Sequence, residues 1–240
     1  MGLLVVTAVG VALLAGPGGR SPAVLRTGAV LLVLGGWAVS LCLHEFGHAV
    51  VALRGGDTSV RDKGYLRLDP RRYTDPVLSI LLPLALLAFG GIPLPGGAVW
   101  IDRGRLRSRW VDSAVSLAGP VVNLVLGVLL TAVVAVTTLP PPLAGVLAWL
   151  ALVQVLAFVL NALPVPGLDG WGVLDPHLPV GARRAAATVR PFAPLVLFAL
   201  LVSSPQVSAA LFGVADVVFT LLGGSPELAR GGLALFLFWR

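Results

Sequence analysis

Two histidines and a glutamate in the apolar stretch LCLHEFGHAVV, residues 41–51, have the types and the spacing to hold a metal ion and activate water on it. Four residues of an α-helix turn through about 400°, so His44 and His48 lie one turn apart on the same face and can share one metal. Glu45 lies roughly 100° further round the helix. It is therefore better placed to polarise a water molecule held by the metal than to be a third ligand.

HExxH is a short pattern that also occurs by chance in unrelated helices. Here its neighbours are Val, Leu, Ala and Trp. Two imidazoles and a carboxylate within hydrocarbon cost on the order of several kcal/mol unless they pair or bind something, so these surroundings favour a functional site. Cys42, the one cysteine, excludes an intrachain disulfide and a thiolate metal site, and we interpret it as a small core residue.

Membrane helices are the elements that must position this motif. Of the 240 residues, 57% are hydrophobic and 12% are charged, whereas soluble domains have about 25% charged residues. The 17 Lys and Arg residues against 11 Asp and Glu residues concentrate in a few short connectors. That clustering predicts positive-inside topology of a multi-pass cell-membrane protein in a lipid bilayer, and it excludes nucleic acid as a partner.

Hydropathy and helix-breaking residues predict an all-α polytopic membrane protein, a single domain over residues 1–240, with about six transmembrane helices. The first stretch lacks the basic start of a signal peptide, so we expect an uncleaved span. The tail, ending in LALFLFWR, is too short to cross and is interpreted as an interfacial anchor. The predicted spans are residues 1–16, 27–53, 111–139, 143–163, 191–203 and 207–222.

One further apolar segment, residues 76–95, lies between two basic connectors at 54–75 and 102–109. Two strongly basic loops on either side of a single span contradict the positive-inside rule. A re-entrant segment that enters and leaves by the same face resolves the contradiction, and Pro83 with the run GGIPLPGG supplies the break. We therefore predict one re-entrant segment.

Short membrane-associated β-strands are expected at two places. Residues 65–68 alternate loosely between a Gly and a Pro, which is typical of a short interfacial strand. Residues 97–102, with the sequence GAVWID, could provide an edge strand to which an extended substrate adds.

A carboxylate follows the span at 143–163 within a few residues. Pro164 and Pro166 end the helix, and Asp169 follows three residues after Pro166. If residues 76–95 crossed the membrane fully, Asp169 would emerge on the face opposite to the two histidines. If they are re-entrant, all three side chains lie at the same face, so charge placement and metal geometry require the same arrangement.

The strings HEFGH, AGPVVN and NALPVPGLDG, in this order and inside apolar spans, resemble the motifs of the site-2 protease family of intramembrane zinc metalloproteases, peptidase family M50. Asn161, Pro164, Leu168, Asp169 and Gly170 match the family pattern NxxPxxxLDG at every fixed position. The resemblance covers residues 38–171 and leaves accessory C-terminal helices at 185–240. The chain resembles a short form of the family, without a PDZ or CBS domain.

The resemblance implies one Zn²⁺ per chain, with His44, His48 and Asp169 as ligands, Glu45 as the general base and Asn161 as a contact to substrate or oxyanion. It also implies hydrolysis of peptide bonds in or near transmembrane segments of a membrane protein substrate, which we expect to be single-span. Two rival hypotheses are a membrane metal-binding or zinc-transport protein and an inactive protease homologue. Glu45 discriminates, because a transporter would tolerate Gln there.

Three other polar residues need an interpretation. His177, in the loop DPHLP, is expected to have no catalytic task. Asp216 lies inside the last predicted span, where a carboxylate is usually functional or paired. Asn123 follows Gly119 and Pro120, which permit close helix approach, and its amide is interpreted as interhelical glue.

Overall fold

A computed structural model describes residues 1–16, 21–68 and 99–239 of the chain. In these residues the regular structure consists of ten α-helices and three short 3₁₀ turns. The helices are α1 (Gly2–Ala15), α2 (Pro22–Gly55), α3 (Ser59–Asp62), α4 (Arg109–Val136), α5 (Pro141–Asn161), α6 (Asp169–Leu174), α7 (Val180–Val189), α8 (Ala193–Ser203), α9 (Pro205–Leu221) and α10 (Pro226–Phe236). The 3₁₀ turns are Tyr65–Arg67, Arg103–Arg105 and Asp175–His177.

Three of these helices are long and apolar enough to cross a membrane: α2, α4 and α5, with 34, 28 and 21 residues. Proline in the first turn starts α2 and α5, where its missing N–H costs no helix hydrogen bond. Ser108 starts α4, because its side chain accepts a hydrogen bond from the backbone N–H of Val111.

The prediction of six transmembrane helices is wrong for the described residues. Helices occur near all six predicted spans, but α1 has 14 residues and α9 has 17, which is about 21 and 26 Å against roughly 30 Å of hydrocarbon. Helices α7 and α8 are bent by 58° at their junction and are long enough only as a pair. The described helices thus provide three spans, or four if the bent pair is one.

The predicted β-strands are also wrong, since the described residues contain no strand. Residues 65–67 form a 3₁₀ turn between Gly64 and Leu68, both of which adopt positive φ. Val99 and Asp102 do not pair with another strand, because their backbone N–H groups donate to the carboxylates of Glu45 and Asp57. Side chains have replaced the neighbouring strand as hydrogen-bond acceptors.

The predicted re-entrant segment at 76–95 lies outside the described residues. The described connectors on either side of it are joined by hydrogen bonds. The N–H of Arg107 donates to the carbonyl of Gly55 over 3.0 Å, and Nζ of Lys63 donates to the carbonyl of Trp100 over 2.7 Å. Both connectors therefore lie at the C-terminal end of α2.

Helices α2 and α4 approach closely beside the HExxH motif. A Cβ built at Gly47 would lie 2.9 Å from Val122 Cγ2 and 3.2 Å from the carbonyl oxygen of Ala118. A larger residue would push the helices apart at this level. Helix α5 is buried along most of its length and packs against both the α1–α2 pair and the C-terminal helices, so it forms the centre of the bundle.

Candidate metal centre

The two histidines of the motif lie one turn apart on the buried face of α2. His44 is 4% exposed and His48 is 6% exposed, and their Nε2 atoms are 3.1 Å apart. Nitrogens of two neutral imidazoles at this separation, both turned to one point, can bind the same cation.

Asp169 reaches the same point from the start of α6. Its Oδ2 lies 3.1 Å from Nε2 of His44, and its Oδ1 lies 3.5 Å from Nε2 of His48. The chain turns towards the histidines at Gly167, whose φ of 102° is a left-handed conformation that favours glycine. A Cβ built at Gly170 would collide with the carbonyl of Ala162, so the small residue lets α6 pack against the end of α5.

The three side chains fit a metal ion. One ligand atom from each of His44, His48 and Asp169 lies within 4.8 Å of the other two. A set of two imidazole nitrogens and one carboxylate oxygen suits zinc and leaves one coordination position open, as catalytic zinc sites do.

The space between the histidines is kept open by a glycine on α4. A Cβ built at Gly119 would collide with Nε2 of both histidines and would lie 2.6 Å from Cε1 of His44. The fold thus brings a backbone without a side chain to the point where a metal ion would lie.

Hydrogen bonds on the far side of each imidazole set its orientation. Nδ1 of His48 lies 2.7 Å from the carbonyl oxygen of Val115, and Nδ1 of His44 bonds to Oδ1 of Asn123. Asn123, which the sequence indicated as interhelical glue, therefore contacts a candidate ligand. It also donates to Gln154, a residue that the sequence analysis did not select. A single amide in the middle of an apolar span was the signal that could have identified it.

Glu45 lies beside the ligand group but is not a member of it. Its side chain is on the same buried turn of α2 and is 3% exposed. Oε2 accepts a hydrogen bond from the backbone N–H of Val99 over 3.1 Å. This contact places the residues that follow the undescribed segment directly against the site.

A cavity of about 1040 Å³ contains the site. Asn161, at the last turn of α5, is 2% exposed and lines this cavity, and its Oδ1 has no hydrogen-bond partner among the described residues. Charged side chains line the cavity as well, so it has polar walls that water can wet. They are Lys63, Asp102, Arg103, Arg105 and Arg190.

The remaining singled-out residues lie elsewhere. His177 does not line the cavity. Its Nε2 is 3.0 Å from Ser113 Oγ, and its ring centroid is 4.5 Å from that of Trp110, so it ties the turn after α6 to α4. Asp216 is partly buried on α9, away from the cavity, and Cys42 is buried in α2.

Comparison with known proteins decides the family. A protein of Mycobacterium tuberculosis named "Putative zinc metalloprotease Rip2" is 46% identical over 243 residues, which cover 100% of this chain and 92% of the relative. The chain belongs to the site-2 protease family. A Rip2 protein of Mycolicibacterium smegmatis is 44% identical over 88% of this chain and 82% of its own length. "Putative zinc metalloprotease YwhC" of Bacillus subtilis is 32% identical over 69% of this chain and 77% of its own length.

No family model and no solved structure match the chain. Membership of the site-2 protease family confirms the resemblance that the three motifs indicated. Relatives named as zinc metalloproteases imply zinc as the metal, and the group formed by His44, His48 and Asp169 could hold it. The family and the three long apolar helices together indicate a membrane protein.

Proposed function

We propose that this chain is a multi-pass intramembrane zinc endopeptidase of the cell membrane that hydrolyses peptide bonds in or near transmembrane segments of membrane proteins. The observation that carries the proposal is the convergence of His44, His48 and Asp169 in the wall of a polar cavity that Glu45 also lines. Three of the helices that form the cavity wall, α2, α4 and α5, are apolar enough to span a membrane.

In this proposal one zinc ion per chain is held by Nε2 of His44, Nε2 of His48 and the Asp169 carboxylate. A bound zinc ion supplies Lewis acidity, which polarises a peptide carbonyl and makes a water molecule more acidic. The chain supplies the geometry, because the two Nδ1 atoms are already hydrogen-bonded and the two Nε2 atoms are the ones that would bind the ion.

Glu45 acts as the general base. It takes a proton from the attacking water while the water oxygen bonds to the peptide carbon, and it returns that proton to the leaving nitrogen as the C–N bond breaks. Its position supports this role, because the carboxylate is buried and lies outside the ligand group. A transporter would need only the three ligands, so the adjacent carboxylate favours the peptidase over the transport alternative.

Asn161 is proposed to contact the substrate backbone. A buried amide oxygen without a partner costs free energy, and a peptide N–H of a substrate in the cavity would satisfy it. If the amide turns, its NH₂ group could instead donate to the developing oxyanion.

The substrate is proposed to be a single-span membrane protein within the lipid bilayer. A helical substrate segment keeps its carbonyls in helix hydrogen bonds, so it must unwind locally before cleavage. The cavity volume of about 1040 Å³ is large enough for a short extended stretch. The charged residues in its wall would admit the water that hydrolysis consumes.

Glu45→Gln tests the proposal. Gln keeps the size of the side chain but has no carboxylate to accept a proton, so cleavage of a single-span test substrate should fall by about 10²- to 10⁴-fold. Zinc content and apparent melting temperature, measured on the same detergent-solubilised preparation, should stay near wild type.

Glu227→Gln is the matched control. Glu227 is exposed at the start of α10 and does not line the cavity, so the same carboxylate-to-amide change there should leave cleavage intact. Undiminished cleavage by Glu45→Gln would remove Glu45 from the mechanism. Loss of zinc by that variant would show that Glu45 is a ligand.

A further inference from the structure

A line of four buried side chains runs from the metal site into the apolar bundle. Nδ1 of His44 bonds to Oδ1 of Asn123, whose Nδ2 donates to Oε1 of Gln154 over 2.8 Å. Nε2 of Gln154 donates to Oγ of Ser40 over 3.0 Å, and Ser40 donates to the carbonyl of Trp37 over 2.8 Å. All four side chains belong to residues that are 4% exposed or less, and they come from α2, α4 and α5.

The last partner gives this line a direction. A carbonyl oxygen only accepts hydrogen bonds, so the Ser40 hydroxyl must donate its single hydrogen to the carbonyl of Trp37. Ser40 Oγ is then an acceptor for Gln154, and the NH₂ group of Gln154 must face it. The oxygen of Gln154 is left to accept from Asn123, and the oxygen of Asn123 is left to face His44.

This chain of hydrogen bonds ends at His44. Because Asn123 offers an acceptor, Nδ1 of His44 must carry the hydrogen, and in a neutral imidazole Nε2 then holds the lone pair. Nε2 is the atom that faces His48 and Asp169. If every amide were reversed, the hydrogen would lie on Nε2 and this nitrogen could not bind a metal.

A single hydrogen bond sets the same tautomer in His48. Its Nδ1 faces the carbonyl of Val115 directly, so the backbone alone determines its tautomer. His44 depends on side chains from two other helices. One ligand is thus set by the backbone and the other by a relay.

We propose that Gln154, acting with Ser40 and Asn123, is a positioning relay that keeps His44 in the tautomer that can ligate a metal. The inference rests on the proposed metal site and goes beyond it, because it assigns a task to an amide on α5 that touches neither metal ligand nor cavity. Simple interhelical glue would require the hydrogen bonds but would not require their direction.

Zinc affinity of the purified full chain in detergent, measured by competition with a chelator, tests the relay without any substrate. Gln154→Met keeps the side-chain length and removes both hydrogen bonds, so Asn123 is free to turn over. We expect its zinc dissociation constant to rise about tenfold or more, since outer partners of ligating histidines typically contribute 10- to 100-fold.

Gln154→Glu is the rescuing variant. A neutral carboxyl group places an O–H towards Ser40 and a C=O towards Asn123, which preserves the direction, so affinity should return to within about threefold of wild type. Thr131→Val is the matched control on α4. Thr131 is 6% exposed and its hydroxyl has no partner in the described part of the chain, so this change should leave zinc affinity unchanged.

Each outcome decides something. Wild-type affinity in Gln154→Met overturns the relay, and so does an equal loss in Gln154→Glu, since direction would then be irrelevant. If Gln154→Met does not fold, Ser40→Ala removes only the anchor of the direction. It should weaken zinc binding severalfold, and unchanged affinity there also overturns the relay. A wild-type protein that binds no zinc would overturn the proposed function and the relay together, whereas a zinc-binding wild type with an unaffected Gln154→Met overturns the relay alone.

Discussion

The helices that carry the site and the helices near the C-terminus bury different kinds of side chain. Among the described residues, every buried polar or charged side chain lies between positions 40 and 161. From Val180 onwards, the buried side chains are apolar. The buried polar set is Ser40, His44, Glu45, His48, Asp57, Ser113, Ser116, Asn123, Thr131, Gln154 and Asn161.

The buried side chains of the two regions therefore make different kinds of contact. Burying a polar group in an apolar bundle costs free energy unless it is hydrogen-bonded, and most of the set is bonded to the site or to its neighbours. The C-terminal helices instead pack apolar side chains such as Phe219 and Phe236 against the core that contains α5. These contacts hold α5 in place, and Arg190, at the end of α7, also lines the cavity.

The largest expected effect on zinc binding comes from removing a carboxylate at the site, compared with removing one from the C-terminal helices. Asp169→Ala removes one of three proposed ligands and should cost more than the roughly 10- to 100-fold that outer partners contribute to metal affinity, so the purified protein should lose its zinc. Asp216→Ala, on the partly buried face of α9, should retain it. Metal analysis after gel filtration measures both.

Zinc loss from both variants would place chemistry in the C-terminal region and break the comparison. Full zinc retention by Asp169→Ala would remove that residue from the ligand set.

A smaller loss of zinc affinity is expected when a glycine at the site is replaced, with a glycine on α9 as the comparison. Gly119→Ala places a methyl group against Nε2 of both histidines, and the backbone of α4 must shift before a metal can bind, so zinc affinity should fall at least tenfold. Gly213→Ala on α9 meets nothing within 4 Å. It should leave zinc affinity unchanged and slightly stabilise the helix, by about 0.5–1 kcal/mol. Chelator competition with a melting curve for each variant checks this, and equal affinity in the two variants would contradict it.

The sequence could predict the histidine pair because its spacing is local: His44 and His48 are four residues apart, and helix geometry alone puts them on one face. Asp169 lies 121 residues beyond His48, and it was identified by its match to the family pattern NxxPxxxLDG. The structure brings these three side chains together as the sequence analysis expected.

Helix lengths and the relay could not be predicted from the same information. Hydropathy identifies apolar segments, but it did not show that α1 and α9 end too early to span the hydrocarbon. The expected strand at 97–102 failed because the acceptors for Val99 and Asp102 are carboxylates from residues about 45 to 54 positions earlier. Ser40 and Gln154 are 114 residues apart, and only the packing of α2 against α5 joins them.

The smallest effect is expected at Asp57, the buried carboxylate of the first region that does not line the cavity. Its Oδ1 accepts hydrogen bonds from the backbone and hydroxyl of Ser59, and its Oδ2 accepts from the N–H of Asp102. Burial alone would raise the pKa of Asp57, but these hydrogen bonds outweigh it and hold the pKa below its usual value of 3.8. The carboxylate therefore stabilises the fold above about pH 4, and this contribution is lost as the pH falls through the lowered pKa.

Asp57→Asn should consequently lower the free energy of unfolding by about 1–2 kcal/mol at pH 7, since an amide replaces an acceptor of charge-assisted hydrogen bonds. The difference from wild type should narrow as the pH falls below 3.8 towards the lowered pKa, because the wild-type carboxylate is then protonated as well. Asp62 is an exposed carboxylate in the neighbouring turn. Asp62→Asn should change neither the free energy of unfolding at pH 7 nor its dependence on pH. Melting curves in detergent from pH 7 to pH 3 measure the effect. Zinc binding at pH 7 should be unchanged in both variants, because Asp57 fixes the connector beside the cavity and touches none of the three proposed ligands. A gap that stayed constant with pH would mean that the ionised form of Asp57 is not what ties residues 57 and 102 together.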